Sequence, residues 1–301
     1  MRSPLAGTAA MGTASMGTVM IVCAATAWGT WSLFLRPTGL PATVTAPLLL
    51  LGIFVFAVPF FRFDGVEPRW DRRTLALLLA YAALDALNVG TFFAAMGVTS
   101  VAVAVLTHSV APVLVALLAP HIEKRPTPRA LPAAGLALVG LCLLLRPWEP
   151  AALTGQLGLG AALGLTSAVG YAALVFLVGP LSARIGPART MGWHALPAAL
   201  LLAPFAVADL GQVELRDVGW MAVAALVPGV LAGVAFVRGL ALVGAARAAV
   251  LAFVEPVVAC LVGWVCLGER LPPVALLGAL LVLCAGFIVS ARRRPSSGIS
   301  L

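Results

Sequence analysis

Long apolar runs fill most of the chain, separated by short clusters of charge, proline and glycine. They fall near residues 18–35, 44–61, 74–94, 99–119, 131–146, 156–178, 190–207, 218–237, 246–267 and 273–291. About 20 apolar residues make one helical crossing of a bilayer. The runs are continuous and do not alternate polar with apolar positions, so a membrane β-barrel is excluded. The pattern predicts an all-α integral membrane protein with ten transmembrane helices. The first run continues past the small residues Cys23–Ala27 through Trp28, Trp31 and Phe34, and reads as a retained helix rather than a cleaved leader.

The pattern also repeats. Ala102, Ala104, Val110, Pro112, Val113 and Leu117 recur as Ala246, Ala248, Val254, Pro256, Val257 and Leu261. After a two-residue slip, Glu123, Pro126, Leu131, Ala133, Gly140 and Arg146 recur as Glu269, Pro272, Leu277, Ala279, Gly286 and Arg292. Each copy is an apolar helix with a proline, a charged turn opening on glutamate, and a second apolar helix. Five predicted helices separate equivalent points. Five is odd, so the second half enters the membrane upside down: two inverted five-helix repeats, the sequence sign of a secondary transporter.

Composition fits this reading. The chain is 62% hydrophobic and 10% charged, against about 25% charged in a soluble domain. Its net charge of +8 does not indicate nucleic acid, because the basic residues sit in short runs between apolar segments. Their placement predicts topology instead. Arg2, Arg62, Arg69, Arg72, Arg73, Lys124, Arg125, Arg129, Arg184, Arg189, Arg238 and Arg292–Arg294 fall on one side of the predicted membrane. Only Arg36, Arg146, Arg216 and Arg270 fall on the other, which puts both termini in the cytoplasm. The predicted organisation is a short cytoplasmic N-terminus (1–17), a first repeat (18–146), a linker (147–155), a second repeat (156–291) and a basic cytoplasmic tail (292–301).

Three stretches carry a family resemblance: "AWGTWSLFLR" at Ala27–Arg36, "FVEPVVA" at Phe253–Ala259 and "LGERLPPVALLGALLVLCAGFIV" at Leu267–Val289. They resemble EamA domains, two of which make a transporter of the drug/metabolite transporter superfamily. In the first repeat "APHIEKRPTP" replaces the usual Leu-Gly-Glu-Arg turn and keeps only Glu123 and a basic neighbour. The resemblance implies an inner-membrane secondary carrier that moves small metabolites without ATP, often as an exporter of amino acids. A drug or quaternary-amine efflux carrier of the same fold is the alternative.

Polar groups at mid-membrane are costly and therefore mark candidate sites. Asp85, Asn88 and Thr91 are spaced i, i+3, i+6 and lie on one helical stripe. That stripe faces either a water-filled cavity or hydrogen-bond partners on neighbouring helices. His108 sits one turn before Pro112, which cannot donate to the carbonyl of residue 108. Its imidazole could shuttle protons, or be a satisfied bundle residue. Glu255 precedes Pro256 at the symmetry-equivalent place. Arg247 either snorkels to the interface or acts as a counter-charge. Trp28, Trp31 and Tyr171 could wall a cavity and attract a cationic amine, or simply pack. Trp193 and His194 read as interfacial, and Glu123 and Glu269 as helix-entry charges. Pro112 and Pro256 are expected to kink their helices.

The rival classes lack their motifs. There is no Gly-x-Ser-x-Gly, His-Glu-x-x-His, Asp-rich metal motif or Walker loop, which argues against a membrane-embedded enzyme or an ATP pump, and the polar stripe argues against a sensor. Cys23, Cys142, Cys260, Cys266 and Cys284 lie inside apolar runs without metal-ligand spacing, so no metal or cofactor is expected. The expected partners are a small-molecule substrate, the lipid bilayer and a proton as candidate coupling ion; the sequence sets neither the substrate nor the oligomeric state.

Overall fold

A computed structural model of the chain describes residues 4–124, 127–150, 153–268 and 272–290. Arg2, Arg125, Glu269, Arg270 and Arg292–Arg294 lie outside them. The elements in order are α1 (Pro4–Trp28), α2 (Trp31–Leu35), α3 (Ala42–Ala57), α4 (Arg72–Val98), α5 (Val101–His108), α6 (Ala111–Ile122) and α7 (Ala130–Leu145). They continue with α8 (Leu157–Ile185), α9 (Pro187–Ala206), α10 (Leu215–Ala224), a π-helical segment (Ala225–Leu231), α11 (Ala232–Val243), α12 (Ala245–Ala252), α13 (Val254–Leu267) and α14 (Pro273–Ser290). The described residues contain no strand, only an isolated bridge between Thr99 and Gly155.

Among the described residues, eight stretches are long and apolar enough to cross a membrane: Ala14–Thr38, Ala42–Phe63, Arg72–Val98, Val101–Ile122, Leu157–Ile185, Leu215–Val243, Ala245–Cys266 and Pro273–Ser290. Two predicted segments are weaker. The 16 residues of α7 reach about 24 Å at 1.5 Å per residue. The helix α9 carries Arg189, His194 and the interior prolines Pro197 and Pro204. At the N-terminus, helix begins at Pro4, well before the predicted start at residue 18. Nothing between there and Trp28 breaks a helix: the residues are mostly alanine, threonine and methionine with isolated glycines.

The four most extensive helix pairings are α4 with α8, α7 with α14, α3 with α9, and α1 with α11. If the ten predicted segments, rather than the individual helices, are matched by order in the two halves, this set maps onto itself when the halves are exchanged. Close backbone approach allows some of these crossings. A Cβ on Gly140 would come within 2.7 Å of the Gly278 carbonyl, and one on Gly239 within 2.9 Å of the Gly17 carbonyl.

Polar contacts between loops divide into two sets. In one, Asp64 receives the backbone N–H groups of Ala188 and Arg189, at 2.7 and 3.0 Å, and so caps α9. Asp71 caps α4 through Thr74 N–H and pairs with Arg184 at the end of α8. Arg238 donates to the Phe63 carbonyl, and Glu123 accepts from Ala245 N–H at the start of α12. Glu123 is therefore a helix-entry charge, as expected, but for a helix in the other half of the chain. In the other set, Thr43 donates to Asp209 and Thr99 to the Thr154 carbonyl.

Two outcomes follow. Gly140→Leu forces α7 and α14 apart and should lower stability by about 1–3 kcal/mol, read as a lower melting temperature in detergent. Gly135→Leu, on the same helix with open space around it, should be neutral. Asp71 lies outside the spans; the Thr74 N–H, with help from Arg184, brings its carboxyl from 3.8 to about 2. Its contribution is full above pH 3.8 and lost as pH falls towards 2. Asp71→Asn should therefore melt lower than wild type near neutral pH, with the gap closing in strong acid.

Candidate functional site

Several helices are interrupted, and three of the interruptions meet. The first span breaks at Gly29–Thr30, between α1 and α2, where the Thr30 hydroxyl donates to the Ala27 carbonyl at 2.6 Å. The α5 and α6 helices are separated by Ser109–Val110, and Pro112 sits in the first turn of α6. At the equivalent place Phe253 separates α12 from α13, and Pro256 follows in the first turn. The prolines thus begin new helices rather than bend continuous ones, since their missing N–H costs nothing in a first turn. In the Leu215–Val243 span Pro228 lies inside the π-helical segment. Trp28 Nε1 donates to the Pro228 carbonyl at 2.9 Å, and Trp28 packs on Phe236 with centroids 4.9 Å apart. A Cβ on Gly29 would lie 2.7 Å from the Glu255 carbonyl, so only glycine lets these two breaks approach.

A polar cluster lies beside this junction. Tyr81, Asp85 and Asn88 follow one stripe of α4, while Ser167 and Tyr171 are one turn apart on α8. His108 Nδ1 is 2.8 Å from Ser167 Oγ, and Ser167 is 2.9 Å from both the Asn88 carbonyl and Asn88 Oδ1. The Asn88 oxygens can only accept, so the hydroxyl proton of Ser167 goes to them. His108 Nδ1 then donates, leaving Nε2 for other work. The His108 ring stands edge-on to Tyr171 at 5.6 Å and beside Phe92 at 4.9 Å. Tyr171 in turn is within electrostatic reach of Glu255 and Asp85. Asp85 Oδ2 lies 3.2 Å from His194 Nε2, and His194 Nδ1 lies 2.8 Å from the Thr190 carbonyl. Tyr81 stacks on His194 with centroids 4.2 Å apart. Both tyrosines and two of the three histidines of the chain are here.

Among the sequence candidates, Asp85, Asn88, His108, Tyr171 and Glu255 come together, with Trp28 at the adjoining junction. Thr91 bonds back to the Leu87 carbonyl and faces a cavity of about 830 Å³ between α3, α4 and α9. That cavity is apolar apart from the hydroxyls of Thr43 and Thr91, and it does not include Asp85 or His108. The expected single stripe therefore divides between two surroundings. Trp31 begins α2 and is half-buried. Arg247 donates to Thr18 Oγ1 and the Ser290 carbonyl, tying α1 to the end of α14.

One expectation is corrected. His194 is not interfacial: it is only 2% exposed and is bonded to Asp85. Its neighbours Arg189 and Trp193 give the sequence an interfacial look, but packing of α9 on α3 and α4 takes its ring inward. Ser167 and Tyr81 were not singled out either. Each lies one helical turn from a candidate, Tyr171 and Asp85, and that spacing is the signal that could have found them.

The profile of the EamA-like transporter family matches residues 15–146 and again 158–291. An uncharacterized transporter from Archaeoglobus fulgidus is 32% identical over 277 residues, covering 92% of this chain and 96% of the relative. A solved crystal structure of a protein superposes with a TM-score of 0.77 at 17% identity, covering 93% of this chain and 98% of that one, a likeness of fold. The two family matches, together with the apolar helices they span, make this chain a multi-pass membrane protein of the EamA-like transporter family.

Proposed function

We propose that the protein is a secondary active exporter of amino acids or related amine-bearing metabolites, working by alternating access across the inner membrane. The observation that carries this is the convergence of helix breaks beside Asp85, His108, Tyr171 and Glu255. Broken helices at membrane depth are tolerated where they are buried in protein or line a cavity, and they commonly form the substrate site of carriers. Two carboxyls among aromatic rings and imidazoles suit an ammonium group, through charge and cation–π attraction. The His108 Nε2 atom and the carbonyls freed by the prolines supply further acceptors.

In this reading α7 and α9 also cross the bilayer, each packed along a longer apolar helix. That makes ten transmembrane helices as two inverted five-helix repeats, 18–146 and 156–291, joined by a linker at 147–155. The self-mapping helix pairs support the inversion. So do the two separate sets of loop contacts, which sort as alternate crossings require. The arginine-rich set takes the cytoplasmic side, with both termini. Drug or quaternary-amine efflux is the second reading, favoured by the same aromatic and acidic surroundings.

Asp85→Asn and Glu255→Gln should each slow amino-acid transport in everted vesicles by about tenfold, equivalent to about 1.4 kcal/mol, with membrane abundance unchanged. Wild-type rates in both would refute the central-carboxyl site. Cells carrying the protein should enrich their medium in particular amino acids; drug tolerance without such enrichment would favour the second reading. A C-terminal fluorescent-protein fusion should be bright and a C-terminal phosphatase fusion inactive, the reverse pattern contradicting the cytoplasmic tail.

A further inference from the structure

The contact between Asp85 and His194 constrains where protons can be. His194 Nδ1 lies 2.8 Å from the Thr190 carbonyl, which can only accept, so Nδ1 carries a hydrogen. The other ring nitrogen, Nε2, lies 3.2 Å from Asp85 Oδ2. Without a proton between them, this contact would set two lone pairs against each other. One proton therefore belongs to the contact, on the carboxyl or on the imidazole. In both arrangements the pair is neutral as a whole, which suits a site taken out of water. Tyr81 stacks on the ring from the side and holds its plane.

We propose that Asp85 and His194 share one proton and form the carrier's proton site, exchanging that proton for the ammonium group of the substrate. This rests on the carrier reading above. Asp85 is the reachable member, with 15% of its side chain exposed against 3% for His194. When a cation arrives at Asp85, the shared proton leaves to water. The carboxylate then neutralises the cation, and His194 stays neutral with its hydrogen on Nδ1. Charge balances, one proton out for one cation in, and no buried charge is left unpaired. A loss of the proton without a cation would leave a buried anion, so empty, unprotonated carrier is disfavoured. That condition is what couples two opposed fluxes.

The surroundings do not supply a competing cation among the contacts the pair makes. From α4 the pair meets Tyr81, and Tyr171 of α8 lies within electrostatic reach of Asp85; beyond Tyr171 stand His108 of α5 and Glu255 of α13. The packed helix α3 has no titratable side chain. On α9 itself, Arg189 is engaged by Asp64 at 3.4 Å, and Arg238 of α11 reaches the Phe63 carbonyl. An arylalkylammonium ion matches the neighbouring Tyr81 and Tyr171 rings, and is the chemical class the site would take.

The test uses purified full-length protein with ¹⁵N-labelled histidine in lipid nanodiscs. His194→Gln identifies the His194 signals by their loss. In wild type, Nδ1 should carry a hydrogen and the Nε2 signal should report a proton shared with a carboxyl; Asp85→Glu should retain both features. Asp85→Asn should abolish the shared-proton signature at Nε2. An Nε2 signal unmoved in Asp85→Asn, or an Nε2–H tautomer in wild type, overturns the shared proton while leaving the exporter reading intact. Phenethylammonium should release a proton from wild type in weakly buffered solution and none from Asp85→Asn or His194→Gln. Absent release from wild type, or undiminished release from the variants, overturns the exchange.

Discussion

A backbone in hydrocarbon has no water to complete its hydrogen bonds. Every peptide group must therefore find a partner within the protein, and an interruption in a helix leaves several without one. This constraint organises the molecule. The breaks at Gly29–Thr30, Ser109–Val110, Phe253 and the π-helical segment can exist only where other helices enclose them, and the sequence supplies local remedies at each. The Thr30 hydroxyl takes the Ala27 carbonyl. The Trp28 indole takes the Pro228 carbonyl. Pro112 and Pro256 stand where a helix has no use for an N–H. The long continuous helices α4 and α8 brace the region, and their mutual packing is among the most extensive in the molecule. The candidate site follows from the same rule: the place where backbone polarity is concentrated is also the place where polar side chains find partners.

The two halves divide this work unevenly. Matched prolines give matched breaks, but the residues beside them differ: His108 in the first half, Glu255 in the second. His108 is fastened through Ser167 to Asn88, so its orientation is set by a helix of the second half and one of the first together. The differing residues thus sit beside matched breaks, and each keeps its own chemistry.

Much of this was legible in the chain. Apolar runs marked the helices, and the positions of Pro112 and Pro256 marked the breaks, because both signals are local. The failures were non-local. Periodicity gives the face of a helix but not how deeply each face is buried, so His194, next to Trp193 and five residues from Arg189, looked like an interface residue. Glu123 announced a helix entry, but its partner, the Ala245 N–H, is far along the chain. Pro228 and Gly229 signal disturbed helix, yet the wider π turn is a choice made with Trp28 and Ile53 packed against it. The stripe of Asp85, Asn88 and Thr91 was correctly seen as polar, but the divergence of its members follows from which helix lies opposite each turn.

Arg247 has an implication for the order of the chain. By holding Thr18 of α1 and the Ser290 carbonyl of α14 with one guanidinium, it brings the first and last helices within a single side chain's reach. Helices at opposite ends of the described chain are thus fastened to each other directly, and the fold closes on itself through this one side chain.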